Sequence, residues 1–304
     1  MTDEFTQHTL ERGDAGKLWL ARIPEIIKAC EENWQISVLP PFKLNYNYVA
    51  PATRKDGTQV VLKIGFPGDN EFISEVSALE VFNGEGTERL LETNSTNSAI
   101  LIETVTPGNP LSELSDDEEA TRTLARVMKK LWKPAPPGSN FITVLEWAKE
   151  LSQLQSRFGG KTGPLPEYIV LKAQRYFKEL TPSQDTPVLL HGDLHHDNVL
   201  SSDRGGWLAI DPKGVLAEPC YEVAAMIRNP YEKLKDIPNL EPLLEARIRI
   251  FSEELGFDPQ RIQKWCIAQC VLSAVWNMDG QKGWEHAIRV AEALDKIDLN
   301  VKIL

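Results

Sequence analysis

The residues of this chain best suited to chemistry sit between two apolar runs. Val188-Leu189-Leu190 leads into His191-Gly192-Asp193-Leu194-His195-His196-Asp197-Asn198, and Val199-Leu200 leads out. A polar loop held between strand-like segments is where reactive side chains collect. Its spacing, His-x-Asp with Asn five residues after the Asp, offers a carboxylate to take a hydroxyl proton and an amide oxygen to bind a hard cation. Thirteen residues after Asn198, Trp207-Leu208-Ala209-Ile210 reads as an apolar strand delivering Asp211 into a turn before Pro212. Phosphoryl transfer needs this set, because the protein's task there is mostly positioning and charge neutralisation. Asp193 is the candidate base, and Asn198 and Asp211 are candidate ligands of Mg2+. His191 reads as a brace bonded to backbone, and His195 and His196 as loop residues.

A second cation site is legible upstream. Lys63 lies inside Val60-Val61-Leu62-Lys63-Ile64, a setting in which an ammonium group is costly without a carboxylate partner. Glu75 falls on the inward stripe of the helix that follows, three residues after Phe72 and four before Leu79, and Glu71 one turn away is the alternative. A lysine so paired can fix the α- and β-phosphates of ATP.

The elements that must position these groups change character along the chain. Leu18, Leu20, Ile23, Ile26, Ile27 and Cys30 predict a helix over 17–34 that starts or kinks at Pro24. Phe42, Leu44, Tyr46, Tyr48 and Ala50 alternate, and Lys55-Asp56-Gly57 turns the chain into a second strand over 59–64. A helix over 70–82 ends at Asn83-Gly84, and short strands are expected over 89–92 and 99–105. Thr106-Pro107-Gly108-Asn109-Pro110 then breaks regular structure. Beyond it the pattern is helical: a capping box at Ser115-Asp116-Asp117-Glu118 opens one helix, others cover 140–158 and 166–180, and Asp258-Pro259 starts a late one. Only 188–210 reads as short strands.

In these residues the chain resembles the aminoglycoside phosphotransferase family of the protein-kinase-like fold, nearest its streptomycin and hydroxyurea resistance kinase branch. The resemblance runs through Leu44-Asn45-Tyr46-Asn47-Tyr48-Val49-Ala50, Val61-Leu62-Lys63, Glu75 with Ala78-Leu79, and Leu101-Ile102-Glu103 before Pro107-Gly108. It continues through the 191–198 loop and Ile210-Asp211-Pro212-Lys213-Gly214. It implies an α+β, bilobal fold: a small N-terminal antiparallel β-sheet lobe with one key helix, and a larger, mainly helical C-terminal lobe. Residues 1–105 would form the nucleotide-binding lobe, and 106–304 the catalytic and substrate lobe. It also implies ATP and Mg2+, with Asp193 as base, Asn198 and Asp211 on the metal, Lys63 on the phosphates and Glu103, Thr104 and Val105 as the hinge beside adenine.

Two departures stand out. No glycine occurs from Lys43 to Tyr48, where the loop over the phosphates falls; Asn45 and Asn47 tolerate unusual turns and could substitute there. Relatives have Asp-x-Ala where this chain has Glu222-Val223-Ala224, which leaves the longer Glu222 to brace the catalytic loop. In the family the acceptor packs on the C-terminal lobe, which makes Trp276, Asp279 and Trp284 candidate wall residues, with core packing as the alternative for the tryptophans.

Composition narrows the partners. With 44 acidic and 33 basic residues among 304, the formal charge of −11 opposes nucleic acid and anionic membranes and suits a small, cationic hydroxyl acceptor. The N-terminus has no apolar signal region and no stretch is long enough to span a membrane, so a cytoplasmic protein is expected. Nothing in the chain specifies an oligomer. Cys30, Cys220, Cys266 and Cys270 include no C-x-x-C pair and read as core thiols. The rival functions are a kinase-like nucleotide binder without catalysis, favoured by the glycine-free loop, and a metal-dependent hydrolase built on His191, Asp193, His195 and His196.

Overall fold

Two helices lead the chain, α1 (Asp3–Leu10) and α2 (Gly13–Trp34), in a computed structural model that describes residues 3–184, 186–278 and 283–299. The sequence predicts only the second, starting or kinked at Pro24, whereas the helix begins at Gly13 and runs through that proline. Pro24 removes one helical hydrogen bond, but Trp19, Ile23, Ile26 and Cys30 form a buried stripe on both sides of it, and their packing carries the helix across. Leu18, expected on that stripe, faces outward.

The strands β1 (Ile36–Val38), β2 (Tyr48–Arg54) and β3 (Gln59–Ile64) precede α3 (Asn70–Phe82), and β4 (Leu90–Asn94) and β5 (Ala99–Glu103) follow it. They form one antiparallel sheet in the order β1-β2-β3-β5-β4. The expected strand from Phe42 to Ala50 is corrected: residues 39–47 are the loop joining β1 to β2. Pro40 and Pro41 remove two ladder donors, and only Leu44 turns inward while Phe42 and Tyr46 face solvent. The β2–β3 turn is as expected, with Gly57 at φ +88° and Asp56 accepting the Thr58 N–H. Register sets Lys63 between Val49 and Ile100. On α3, Asp69 caps the start by accepting the Glu71 N–H, and Asn83 ends the helix in the left-handed region.

The segment after β5 does not break regular structure entirely. Residues Pro107–Pro110 form β6, an edge strand on which missing proline donors cost little. Helix α4 (Asp117–Leu131) is capped by Asp116, which accepts the Glu118 and Glu119 N–H groups, rather than by Ser115. A reciprocal capping box instead opens the next helix, where Thr143 and Glu146 exchange bonds: β7 (Ile142–Thr143) leads into α5 (Val144–Arg157), followed by α6 (Glu167–Leu180). Short strands β8 (Val188–Leu190), β9 (Val199–Ser202), β10 (Gly206–Ala209) and β11 (Val215–Ala217) then surround the polar loop. They pair in the orders β10-β9-β6 and β7-β11-β8. Helices α7 (Val223–Ile227), α8 (Tyr231–Leu234), α9 (Glu241–Leu255), α10 (Pro259–Asn277) and α11 (Trp284–Lys296) complete the described chain.

Packing divides the chain into two lobes. On β5, Ala99 and Leu101 enter a cluster with Phe5, Trp19 and Leu62, while Ile100 and Ile102 join α3 through Phe72 and Leu79. The larger core gathers around α10, whose Trp265, Cys266 and Cys270 are wholly buried. The fold is thus α+β and bilobal, with a small antiparallel sheet lobe and a larger helical one. Among the described residues no helix is long and apolar enough to cross a membrane.

Candidate active site

The polar loop between β8 and β9 is held from behind by Glu222. Its buried carboxylate accepts the His191 N–H at 2.7 Å and the Gly192 N–H at 2.9 Å. Burial pushes the Glu222 carboxyl up to about 7, against the pull of those two N–H groups. His191 is buried too, and its Nε2 donates to the Ile210 carbonyl at 2.8 Å while Nδ1 accepts the Asp193 N–H at 3.3 Å. Those partners fix one neutral tautomer, and burial lowers its pKa to about 4. Gly192 sits at φ +86°, and a Cβ there would lie 2.7 Å from Val215 Cγ2, so this position takes glycine for two reasons.

Asp193 projects from this loop with one oxygen 3.7 Å from Arg228 Nη2 and the other 3.8 Å from His195 Nε2. Burial works against its ionisation, but His195, Arg228 and Lys213 outweigh it and hold the carboxyl below its ordinary range. Arg228 is itself fixed, donating to Gln269 at 2.5 Å and to the Ala224 carbonyl at 3.2 Å. The Asn198 amide nitrogen donates to the Asp193 carbonyl at 3.0 Å, which leaves Oδ1 as its atom with acceptor capacity.

Asp211 follows β10 in the left-handed region, at φ +61°. Its N–H donates to Glu88 at 3.1 Å, and its carboxylate meets Lys63 Nζ at 2.5 Å. Lys63 also donates to Glu75 at 2.6 Å, and both members of that pair are buried. Burial disfavours the ammonium, yet Asp211 and Glu75 raise the Lys63 pKa, and Lys63 and Lys213 depress that of Asp211 despite its burial. Glu75, not Glu71, is therefore the lysine's helix partner.

An acidic oxygen from Asp211 and an amide oxygen from Asn198 suit a Mg2+ ion that completes its shell with phosphate and water oxygens. Among the described residues, no three His, Cys, Asp or Glu side chains converge to enclose a metal on their own.

The other expected site residues lie around this cluster. Glu103 is held by Arg204, with two contacts of 2.9 Å, and accepts the Arg89 N–H at 3.0 Å, so its side chain is fully engaged within the protein. The Thr104 hydroxyl is buried without a hydrogen-bond partner, and Val105 is half-buried beside it. Asn45 and Asn47 lie in the 39–47 loop, whose outgoing strand pairs with that of Lys63, and neither takes a positive φ. The loop is supported from outside: His8 of α1 stacks on Tyr46 at 4.8 Å and its Nδ1 meets the Asn45 carbonyl at 3.4 Å. Packing against α1 takes the place that a glycine turn would fill.

Of the expected wall residues, Trp276 lies edge-on to Trp147 at 5.1 Å and donates to Glu150 at 2.7 Å. Trp147 in turn approaches Gly192, while Trp284 packs on the main core and Asp279 lies outside the described residues. Sequence reasoning missed Glu88, Lys213 and Arg228. Only Lys213 had a local signal, its place two residues after Asp211; the others come from segments with no motif of their own.

A buried strand lysine paired to a helix glutamate, an aspartate in a left-handed turn and a braced His-x-Asp loop, set in a bilobal fold, define a phosphotransferase of the protein-kinase-like class. Residues 40–280 match the model of the aminoglycoside/hydroxyurea antibiotic resistance kinase family, and the chain belongs to that family. It is 27% identical over 288 residues to streptomycin 6-kinase of Streptomyces griseus, covering 93% of each chain. It is 28% identical over 288 residues to hydroxyurea phosphotransferase of Kitasatospora aureofaciens, covering 93% of this chain and 82% of that one. Among solved structures it resembles a thermostable mutant of aminoglycoside phosphotransferase APH(4)-Ia in ternary complex with ADP and hygromycin B. The TM-score is 0.61 at 15% identity, over 88% of this chain and 96% of that one, a likeness of fold. The protein is an ATP-dependent kinase of small molecules, with a hydroxyl group as acceptor.

Proposed function

We propose that this kinase phosphorylates a hydroxyl of an aminoglycoside-like, cationic acceptor, with Asp193 as general base. The reading rests chiefly on the meeting of Lys63, Glu75 and Asp211 beside a loop whose Asp193 is kept ionised. Residues 1–105 supply the nucleotide site: Lys63, steadied by Glu75, binds the α- and β-phosphates, the main chain of Glu103, Thr104 and Val105 borders adenine, and Asn45 and Asn47 lie over the phosphates. Residues 106–304 supply the base and the acceptor site. Asp211 and the Asn198 oxygen would hold Mg2+, which neutralises phosphate charge when bound. Asp193 takes the acceptor proton as the acceptor oxygen bonds to the γ-phosphorus and ADP departs. His191 and Glu222 act only on the loop, keeping Asp193 aimed. The net charge of −11 favours a cationic acceptor, and the streptomycin and hydroxyurea kinases among its relatives bracket the choice.

ADP release with Mg-ATP across streptomycin, other aminoglycosides, hydroxyurea, choline and homoserine tests this. An acceptor-dependent signal with a cationic aminocyclitol is expected. Asp193→Asn should abolish it while nucleotide binding persists. Undiminished turnover in that variant refutes the base.

A further inference from the structure

Among the described residues three cations crowd the site, and two are locked. Lys63 donates to Glu75 and Asp211 at 2.6 and 2.5 Å, and Arg228 donates to Gln269 at 2.5 Å. The third is Lys213. It makes a long ion pair, 3.7 Å to Glu71, a side chain that is 80% exposed. The Lys213 backbone, by contrast, is pinned. Asp211 at φ +61° and Gly214 at φ +69° bracket it, and the Lys213 and Gly214 N–H groups both donate to the His191 carbonyl, at 2.7 and 3.2 Å. Its Cβ lies 3.3 Å from where a Cβ on Gly192 would stand, so the stem passes over the base's own loop. Lys213 thus stands two residues after the candidate metal ligand Asp211, with its stem beside Gly192, the neighbour of the candidate base Asp193.

We propose that Lys213 is a catalytic residue whose ammonium group leaves Glu71 to bind the oxygens of the phosphoryl group in flight. This rests on the kinase reading above. Phosphoryl transfer spreads negative charge over three equatorial oxygens, and a cation aimed at them acts where charge develops. A fixed backbone with a loosely paired head is suited to that: the stem sets the reach, and a solvent-exposed ion pair holds the head only weakly. In the step, the acceptor oxygen bonds to the γ-phosphorus as the bond to the β-phosphate oxygen breaks. The electron pair leaves with ADP, the acceptor proton passes to Asp193, and Lys213 keeps its protons throughout.

Lys213→Met and Lys213→Arg in the full chain test the proposal. Lys213→Met should lower kcat by roughly 10²–10³ with the KM for ATP and the Mg2+ requirement little changed, and Lys213→Arg should recover at least about tenfold of the loss. A second readout needs no turnover: ADP, Mg2+ and fluoroaluminate mimic the phosphoryl group in flight. The extra thermal stabilisation over ADP and Mg2+ alone should appear in the native chain and vanish in Lys213→Met. If that increment survives, or kcat stays within a few-fold, the proposal is overturned. A raised Mg2+ requirement with the increment intact would make Lys213 a support for Asp211 and also overturn it. Should Lys213→Met not fold, Lys213→Gln carries the same comparison. A native chain that neither turns over nor binds ADP would instead refute the kinase reading itself.

Discussion

Glu222→Gln isolates the group that holds the catalytic loop. The carboxylate accepts two successive N–H groups, so the amide that replaces it must turn its NH2 toward one of them. One buried donor is then unpaired, at a cost of about 1–3 kcal/mol. The titration of the native side chain adds a pH signature. Burial raises its pKa from an ordinary 4.5 to about 7 in the folded protein. With the folded value above the unfolded one, its contribution to stability is full below about pH 4.5 and is lost as pH rises through about 7. Integrated from about pH 5 to about pH 8, the loss is roughly 2–3 kcal/mol, and glutamine has no proton with which to suffer it. Urea unfolding of both proteins across that range should show the native advantage shrinking by this amount. Other titrating groups cancel in the difference. A gap that stays constant with pH would refute the buried, pH-sensitive brace.

Lys63→Met strands the buried Glu75 carboxylate, so unfolding stability should drop by about 3–5 kcal/mol while the KM for ATP rises. Adding Glu75→Gln should return part of the stability but not the kinetics. Arg228→Met takes a cation from beside Asp193, which raises the pKa of the base; the acid limb of the kcat profile should move to higher pH, and an unmoved limb would deny Arg228 that role. Gly192→Ala meets both a left-handed backbone and Val215, and should cost about 1–3 kcal/mol by thermal unfolding along with most of the turnover.

The parts of the site legible in the sequence were those whose chemistry is written locally. Asp193 and Asn198 are five residues apart in one loop, and Asp211 ends an apolar strand of its own. Lys63 and Glu75 were found because a lysine in an apolar strand demands a partner and the next helix has one stripe facing inward. Glu88 and Arg228 were not legible, because each reaches the site from a distant segment and gains meaning only by what it touches there. The 39–47 loop misled for a related reason: alternation over Phe42, Leu44 and Tyr46 is a strand signal only if the backbone can pair. Two prolines and the packing of α1 decide otherwise. Short strands such as β1, with three residues, carry too little period to register at all.

Arg204, at the tip between β9 and β10, grips Glu103 at the end of β5 while donating to the carbonyls of Gly84 at 2.7 Å and Thr87 at 2.6 Å. One guanidinium thus stitches the waist of the enzyme at the end of β5. Like the spine of a bound book, that edge gathers three segments distant in sequence onto one side chain. On the far margin the halves meet through side chains: Lys63 on Asp211, Lys213 toward Glu71 at 3.7 Å, and the Ser74 hydroxyl donating to the Gly214 carbonyl at 3.1 Å.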